Sequence, residues 1–215
     1  LNTEIYYTVD GSDPDTSSLL YTDSIIIDSK SDIRNIISEI STADDWTAPK
    51  NNVFKGHVIK AAAYSDGKII SNIFIKSYFV YPQNKKKYSL PIVSLITKAN
   101  DLFSSDNGIY VKGNNTNFKQ KGIAWEIAAS FEFFNTEGQV KHQQNIGVRI
   151  NGNKSRINPQ KSLQLFARKN YGESRFENMF FEDKVTTSFK RLILRSASSS
   201  DWKHTLFKNE LTQKI

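Results

Sequence analysis

The chain has 215 residues, 38% hydrophobic and 24% charged, with 14 Phe and 9 Tyr, which suits one large domain or two small ones around a substantial aromatic core. It has no cysteine, which excludes a disulfide framework and thiolate chemistry and leaves any zinc site to His and carboxylates alone. The net charge of +7 suits an acidic or phosphorylated partner, but the cations are scattered.

The one dense basic run is Lys85-Lys86-Lys87, and no finger, basic helix or aromatic RNA-binding pattern accompanies it, so nucleic acid is not the expected partner. No stretch approaches the roughly 20 apolar residues that span a bilayer. The chain opens at Leu1 and enters a strand pattern at once. The expectation is an excised piece of a longer protein, so a missing signal peptide says nothing about destination.

Residues 1–81 are all-β in pattern. Ile5–Val9 reads as a strand, Asp10–Pro14 as a turn with Asx-type caps, and Tyr21 leads to the apolar run Ile25–Ile27. Val58–Tyr64 and Ile73–Val80 read as two further strands, the first followed by the Asp-Gly turn Ser65–Lys68. Such short strands with turn signals predict a small sandwich. Asp10 and Asp13 suit turn caps, and no acid pair is placed for glycoside hydrolysis.

Ile5-Tyr-Tyr-Thr-Val-Asp-Gly-Ser-Asp-Pro14, Leu20-Tyr21, Ile59-Lys-Ala-Ala-Ala-Tyr-Ser-Asp-Gly67 and Ser77-Tyr-Phe79 resemble the chitobiase/β-hexosaminidase C-terminal domain family. The resemblance implies an immunoglobulin-like accessory domain rather than a glycosidase. It departs at about residues 29–56, a polar insertion with Trp46 and Pro49 in which Ile33–Ile40 suits a helical turn or two.

Residues 82–87 form a polar, proline-initiated linker. The second part, residues 88–215, mixes strands with a little helix. Leu90–Ile96 reads as a buried strand, Lys98–Phe103 as a helical turn, and Gly108–Val111 and Ala128–Phe134 as strands. Asn135–Gly138 turns the chain back toward Gln144–Ile150. Phe189–Arg195 is one more strand, and Asp201–Ile215 predicts a helix with Phe207, Leu211 and Ile215 on one stripe.

The densest chemistry lies in Gly147–Phe166, read as strand, polar turn, strand. Val148 and Ile150 alternate going in, and Leu163 and Leu165 coming out. Gly152, Asn153, Ser155 and Pro159 build the turn, with Lys154 and Arg156 among them. Lys161 shares parity with Leu163 and Leu165, so it starts on the side facing core or cleft. A lysine there is costly unless it meets an anion. A small-residue turn with free backbone N–H groups beside lysine and arginine suits a phosphate cradle.

The ordered series Leu90-Pro-Ile-Val-Ser-Leu95, Asp101-Leu-Phe103, Gly108-Ile-Tyr110, Trp125-Glu126, Ala129-Ser-Phe-Glu-Phe-Phe134, Gly147-Val-Arg-Ile-Asn-Gly152, Ser155-Arg-Ile-Asn-Pro-Gln-Lys-Ser-Leu-Gln-Leu165, Tyr171-Gly172 and Phe189-Lys-Arg-Leu-Ile-Leu-Arg195 resembles the spore-coat protein H (CotH) kinase family. The resemblance implies the β-rich N-terminal lobe of an atypical protein-kinase-like fold using ATP and Mg²⁺, with the catalytic and metal-binding aspartates in a later lobe. The expected whole is therefore mainly β with minor α: an immunoglobulin-like sandwich followed by that lobe.

On this reading Lys161 neutralises transferring phosphates, Arg149, Lys154, Ser155 and Arg156 line the phosphate loop, and Glu210 on the last helix pairs with Lys161. Plainer readings stay open: a strand-edge cation at Lys161, a solvated turn at 154–156, an exposed helix face at Glu210. Gln160, Asn209 and the Arg195–Asp201 loop depart from the family pattern and weaken the case for catalysis. His57, His142 and His204 lack metal-ligand spacing, and no Gly-x-Ser-x-Gly elbow is present.

The expected function is part of a secreted or surface protein kinase acting on Ser or Thr of a protein, inactive as an isolated piece. The alternative is a non-catalytic extracellular carbohydrate-associated or surface module, with Trp46, Trp125 and Trp202 as candidate sugar-stacking rings. Both families imply an extracellular, cell-surface or spore-coat setting.

Overall fold

The computed structural model describes residues 3–82, 88–177, 180 and 185–196. The described residues are mainly β, with one short helix and a few 3₁₀ turns among them. In the first part, strands β1 (Thr3–Thr8), β2 (Leu19–Leu20), β3 (His57–Ser65), β4 (Lys68–Ile69) and β5 (Phe74–Tyr78) form one antiparallel sheet. Strand β1 lies between β2 and β3, and β4 and β5 follow one another along the far edge of β3. Asp66 and Gly67 both take positive φ (49° and 74°), the two-residue geometry that an Asp-Gly pair favours, and this closes β3 onto β4. The Asp10 turn is an Asx turn: Ser12 N–H and Oγ donate to Asp10 Oδ1 at 2.9 and 2.6 Å.

The Ile25–Ile27 run lies outside the strands. Among the described residues the strands of the first part form this one sheet. Residues 21–56 run irregularly, with a single 3₁₀ turn at Ile37–Glu39 inside the stretch that suggested helix.

In the second part, β6 (Ile92–Ile96), α1 (Ala99–Phe103), β7 (Ile127–Phe134), β8 (Val140–Ile150) and β9 (Leu163–Phe166) are followed by a small ribbon of β10 (Phe176–Glu177) and β11 (Ser188–Phe189), then β12 (Arg191–Leu194). The main sheet is antiparallel in the order β12-β9-β8-β7-β6. Gly108–Val111, expected as a strand, instead folds back on α1: Ile109 N–H donates to Asp101 O and Tyr110 N–H to Leu102 O. Gly108 permits this, since a β-carbon there would meet the Ser104 backbone carbonyl oxygen at 2.6 Å. The helix expected over 201–215, with Glu210 and Trp202, lies outside the described residues.

Alternation gives this sheet one apolar and one polar face. Ala129, Phe131, Ile146, Val148 and Leu165 fill the apolar face and are closed over by Phe176 from the ribbon. On the opposite face Ser94, Glu132 and Gln143 form one cross-strand row. The first sheet docks on that row. Ser77 N–H donates to Glu132 Oε2 at 2.9 Å, Ser77 Oγ meets Ser94 Oγ at 2.7 Å, and Gln143 Nε2 donates to Ile75 O at 2.8 Å. Glu132 is wholly buried, and Lys76 Nζ lies 3.7 Å from its other oxygen. Phe79 packs edge-on against Phe134.

Candidate functional site

The hairpin between β8 and β9 begins where Asn151 N–H donates to Ser162 O at 2.7 Å. Gly152 sits at φ +106°, and a β-carbon there would collide with Ser155 Oγ, so the turn needs glycine. Residues Lys154–Ile157 then form a 3₁₀ turn where a plain turn was expected.

Arg156 points inward from this turn. Its Nε donates to Gly152 O (2.7 Å), Nη1 to Phe118 O (3.1 Å) and Gln120 O (2.8 Å), and Nη2 to Ile150 O (2.6 Å). The planar fork is thereby committed to main-chain carbonyls and staples the hairpin to the 3₁₀ turn Asn117–Lys119. Burial pulls its pKa below the ordinary guanidinium value, with Arg149 adding to the effect.

Lys161 lies on the inward side that its parity predicts, with 4% of its surface exposed. Its ammonium meets no carboxylate within ion-pair distance among the described residues. Instead Nζ donates to Thr42 O at 2.7 Å and Asn158 O at 2.8 Å. It also stands 4.7 Å from the centre of the Phe118 ring and 5.1 Å from that of Tyr110. Burial lowers its pKa to about 8, with Asp45 pulling the other way. Thr42 comes from the insertion, and its own Oγ1 donates to Pro159 O at 2.8 Å, closing a strap over the lysine. Lys112 holds the next turn of that strap through Asp44 at 3.0 Å.

The other candidates do not gather around Lys161. Arg149 faces the opposite side of the sheet, where its cross-strand partner is Gln164. Its guanidinium lies over the Phe166 ring at 4.2 Å, and its Nε is 2.9 Å from Glu126 Oε2. Lys154 is exposed, without an ion pair among the described residues. Ser155 is half-buried against Gly152. Glu210 lies outside the described residues.

Around Arg149 is a second cluster that the residue pattern alone did not single out. Glu126, with a fully buried side chain, is flanked by Arg149 and by Arg168, whose Nε is 2.9 Å from Oε1 and whose Nη2 donates to Oε2 at 3.3 Å. The two Nε–H bonds point off the carboxylate oxygens, so these contacts are close ion pairs and the Nη2 bond carries the directed part. Arg168 also lies over Phe166 at 4.8 Å. Gly147 opens the space: a β-carbon there would collide with the Glu126 carboxylate and meet Tyr171 Cε2 at 2.7 Å. Burial and the neighbouring Glu126 raise the Tyr171 pKa. The available signal was the absence of a side chain at Gly147 in the middle of a strand.

Among the described residues no three His, Asp or Glu side chains gather as a metal site. Nor is any helix among them long and apolar enough to cross a membrane. Residues 1–78 match the profile of the family described as Fn3 associated. No curated protein and no solved structure matches the chain.

Proposed function

We propose that the chain is the phosphate-contacting, β-rich part of a CotH-like protein kinase, secreted or at the cell surface, that transfers phosphate from ATP to Ser or Thr of a protein. The observation that carries this reading is the Lys161 ammonium. It is buried beside the Gly152 turn, lacks a carboxylate counter-ion among the described residues, and has its pKa lowered to about 8. Such a cation gains more from a polyanion than a solvated one does. In the strapped arrangement its donors are occupied by carbonyls, so nucleotide binding requires the Thr42 strap to move aside. Arg156 then serves the hairpin rather than the phosphates, and exposed Lys154 is the outer contact. The reading assigns the catalytic aspartates and Mg²⁺ ligands to residues beyond those described.

Calorimetry with ATP and Mg²⁺ on the full-length protein tests this. Binding should be lost in Lys161→Ala and strengthened in Thr42→Gly, which removes the hydroxyl bond to Pro159. Glycan binding without nucleotide binding overturns it.

The alternative, a carbohydrate-associated surface module, has its own support. The cross-strand row Leu19, Tyr7, Ala61, Phe74 lies on one face of the first sheet, beside Tyr21. Tyr21 is 47% and Phe74 55% exposed, leaving aromatic edges around an alanine floor.

A further inference from the structure

The insertion that straps Lys161 also walls a neighbouring cleft of about 620 Å³, which Thr42, Tyr110 and Pro159 help to line. That volume lies within the range of small-molecule sites. Its walls are aliphatic and aromatic: Ile33, Ile37 and Ile40 from the insertion, with Phe103 and Tyr110 from the second part. The charged side chains lining it are Lys30, Arg34 and Lys55, with no carboxylate. Lys55 Nζ is held by oxygens that carry no charge, Ile33 O (2.6 Å), Val53 O (3.0 Å) and Asn35 Oδ1 (3.1 Å). Lys30 Nζ reaches Val9 O at 3.4 Å, and Arg34 pairs with Glu39 on the outer surface at 3.3 Å. Two more lining residues carry polar atoms shielded from water that have no hydrogen-bond partner: Trp46 Nε1 and Ser38 Oγ. A buried donor left unmade is costly, and native proteins rarely tolerate two in one place.

We propose that this cleft binds a small amphiphile with an aliphatic body and one anionic head, such as a carboxylate. The body covers the isoleucine walls, the head faces the cationic rim, and acceptor oxygens satisfy Trp46 Nε1–H and Ser38 Oγ–H. The proposal does not rest on the phosphate reading, but Thr42 and Pro159 line this cleft as well, so movement of the strap reshapes both places.

Calorimetry of the whole chain with dodecanoate below its micellar concentration tests the proposal, alongside dodecyltrimethylammonium, which has the same tail and the opposite charge. The expected result is one saturable dodecanoate site, with the cationic surfactant at least tenfold weaker. Ile37→Glu, at a wall position already 56% exposed and so tolerant of charge, should weaken dodecanoate at least tenfold with an unchanged melting temperature. Equal binding of the two surfactants, or full dodecanoate affinity in Ile37→Glu, overturns the site. So does sedimentation with phosphatidylglycerol vesicles in the absence of saturable dodecanoate binding.

Discussion

The Lys161 ammonium donates to the carbonyl oxygen of Thr42, 119 positions earlier in the chain, at 2.7 Å. A cation at the start of one strand is thus closed over by an insertion from the other half of the molecule. The contact ties the stability of the strap to the protonation of one lysine.

That link has a sign. An unfolded lysine holds its proton up to about 10.5, whereas folded Lys161 holds it only up to about 8. Between those values the unfolded state binds more protons, so stability rises with pH, by about 3 kcal/mol over the window. Urea midpoints of the native chain should climb between pH 8 and 10 by more than those of Lys161→Met. Parallel pH dependences in the two proteins would refute the assignment.

Arg156→Lys keeps the charge but loses the fork that reaches Gly152, Phe118, Gln120 and Ile150 carbonyls. At least two buried acceptors are then left without donors, which costs about 2–4 kcal/mol. Denaturant unfolding measures it. A change below about 0.5 kcal/mol would mean the guanidinium is not the staple.

Glu126→Gln leaves Arg149 and Arg168, both near the Phe166 ring, without a counter-charge, a loss of about 3 kcal/mol. Gly147→Ala drives a β-carbon into the same carboxylate and should cost a similar amount. Because both act on one cluster, the double variant should lose clearly less than the sum of the two. Strict additivity in a double-mutant cycle would place them in independent environments.

Much of the framework was legible in the residues. Strand-forming runs between turn signals located β1, β3, β5 and β7, alternation located β8 and β9, and the Asp66-Gly67 pair announced its hairpin, because these signals are local. The inward side of Lys161 followed from its parity with Leu163 and Leu165. The same rule, applied to Arg149 next to Ile150, would have placed that arginine on the opposite face and divided the expected cluster. Other features depend on distant partners. The Gly108–Val111 run has strand-forming residues but hydrogen-bonds to α1. Arg156 resembles a surface turn cation until the carbonyls of residues 118 and 120 arrive. Thr42 carries no mark of its contact with Lys161, since what it offers is a main-chain oxygen.

The wholly buried Glu132 carboxylate, which accepts the Ser77 amide, turns the seam between the halves into something sturdier than a tether. With the chain cut between residues 82 and 88, the two halves should therefore still co-elute as a single species, and Glu132→Ala should weaken that association. Covalent continuity would then be dispensable, and either half could be produced separately and reassembled from its complement.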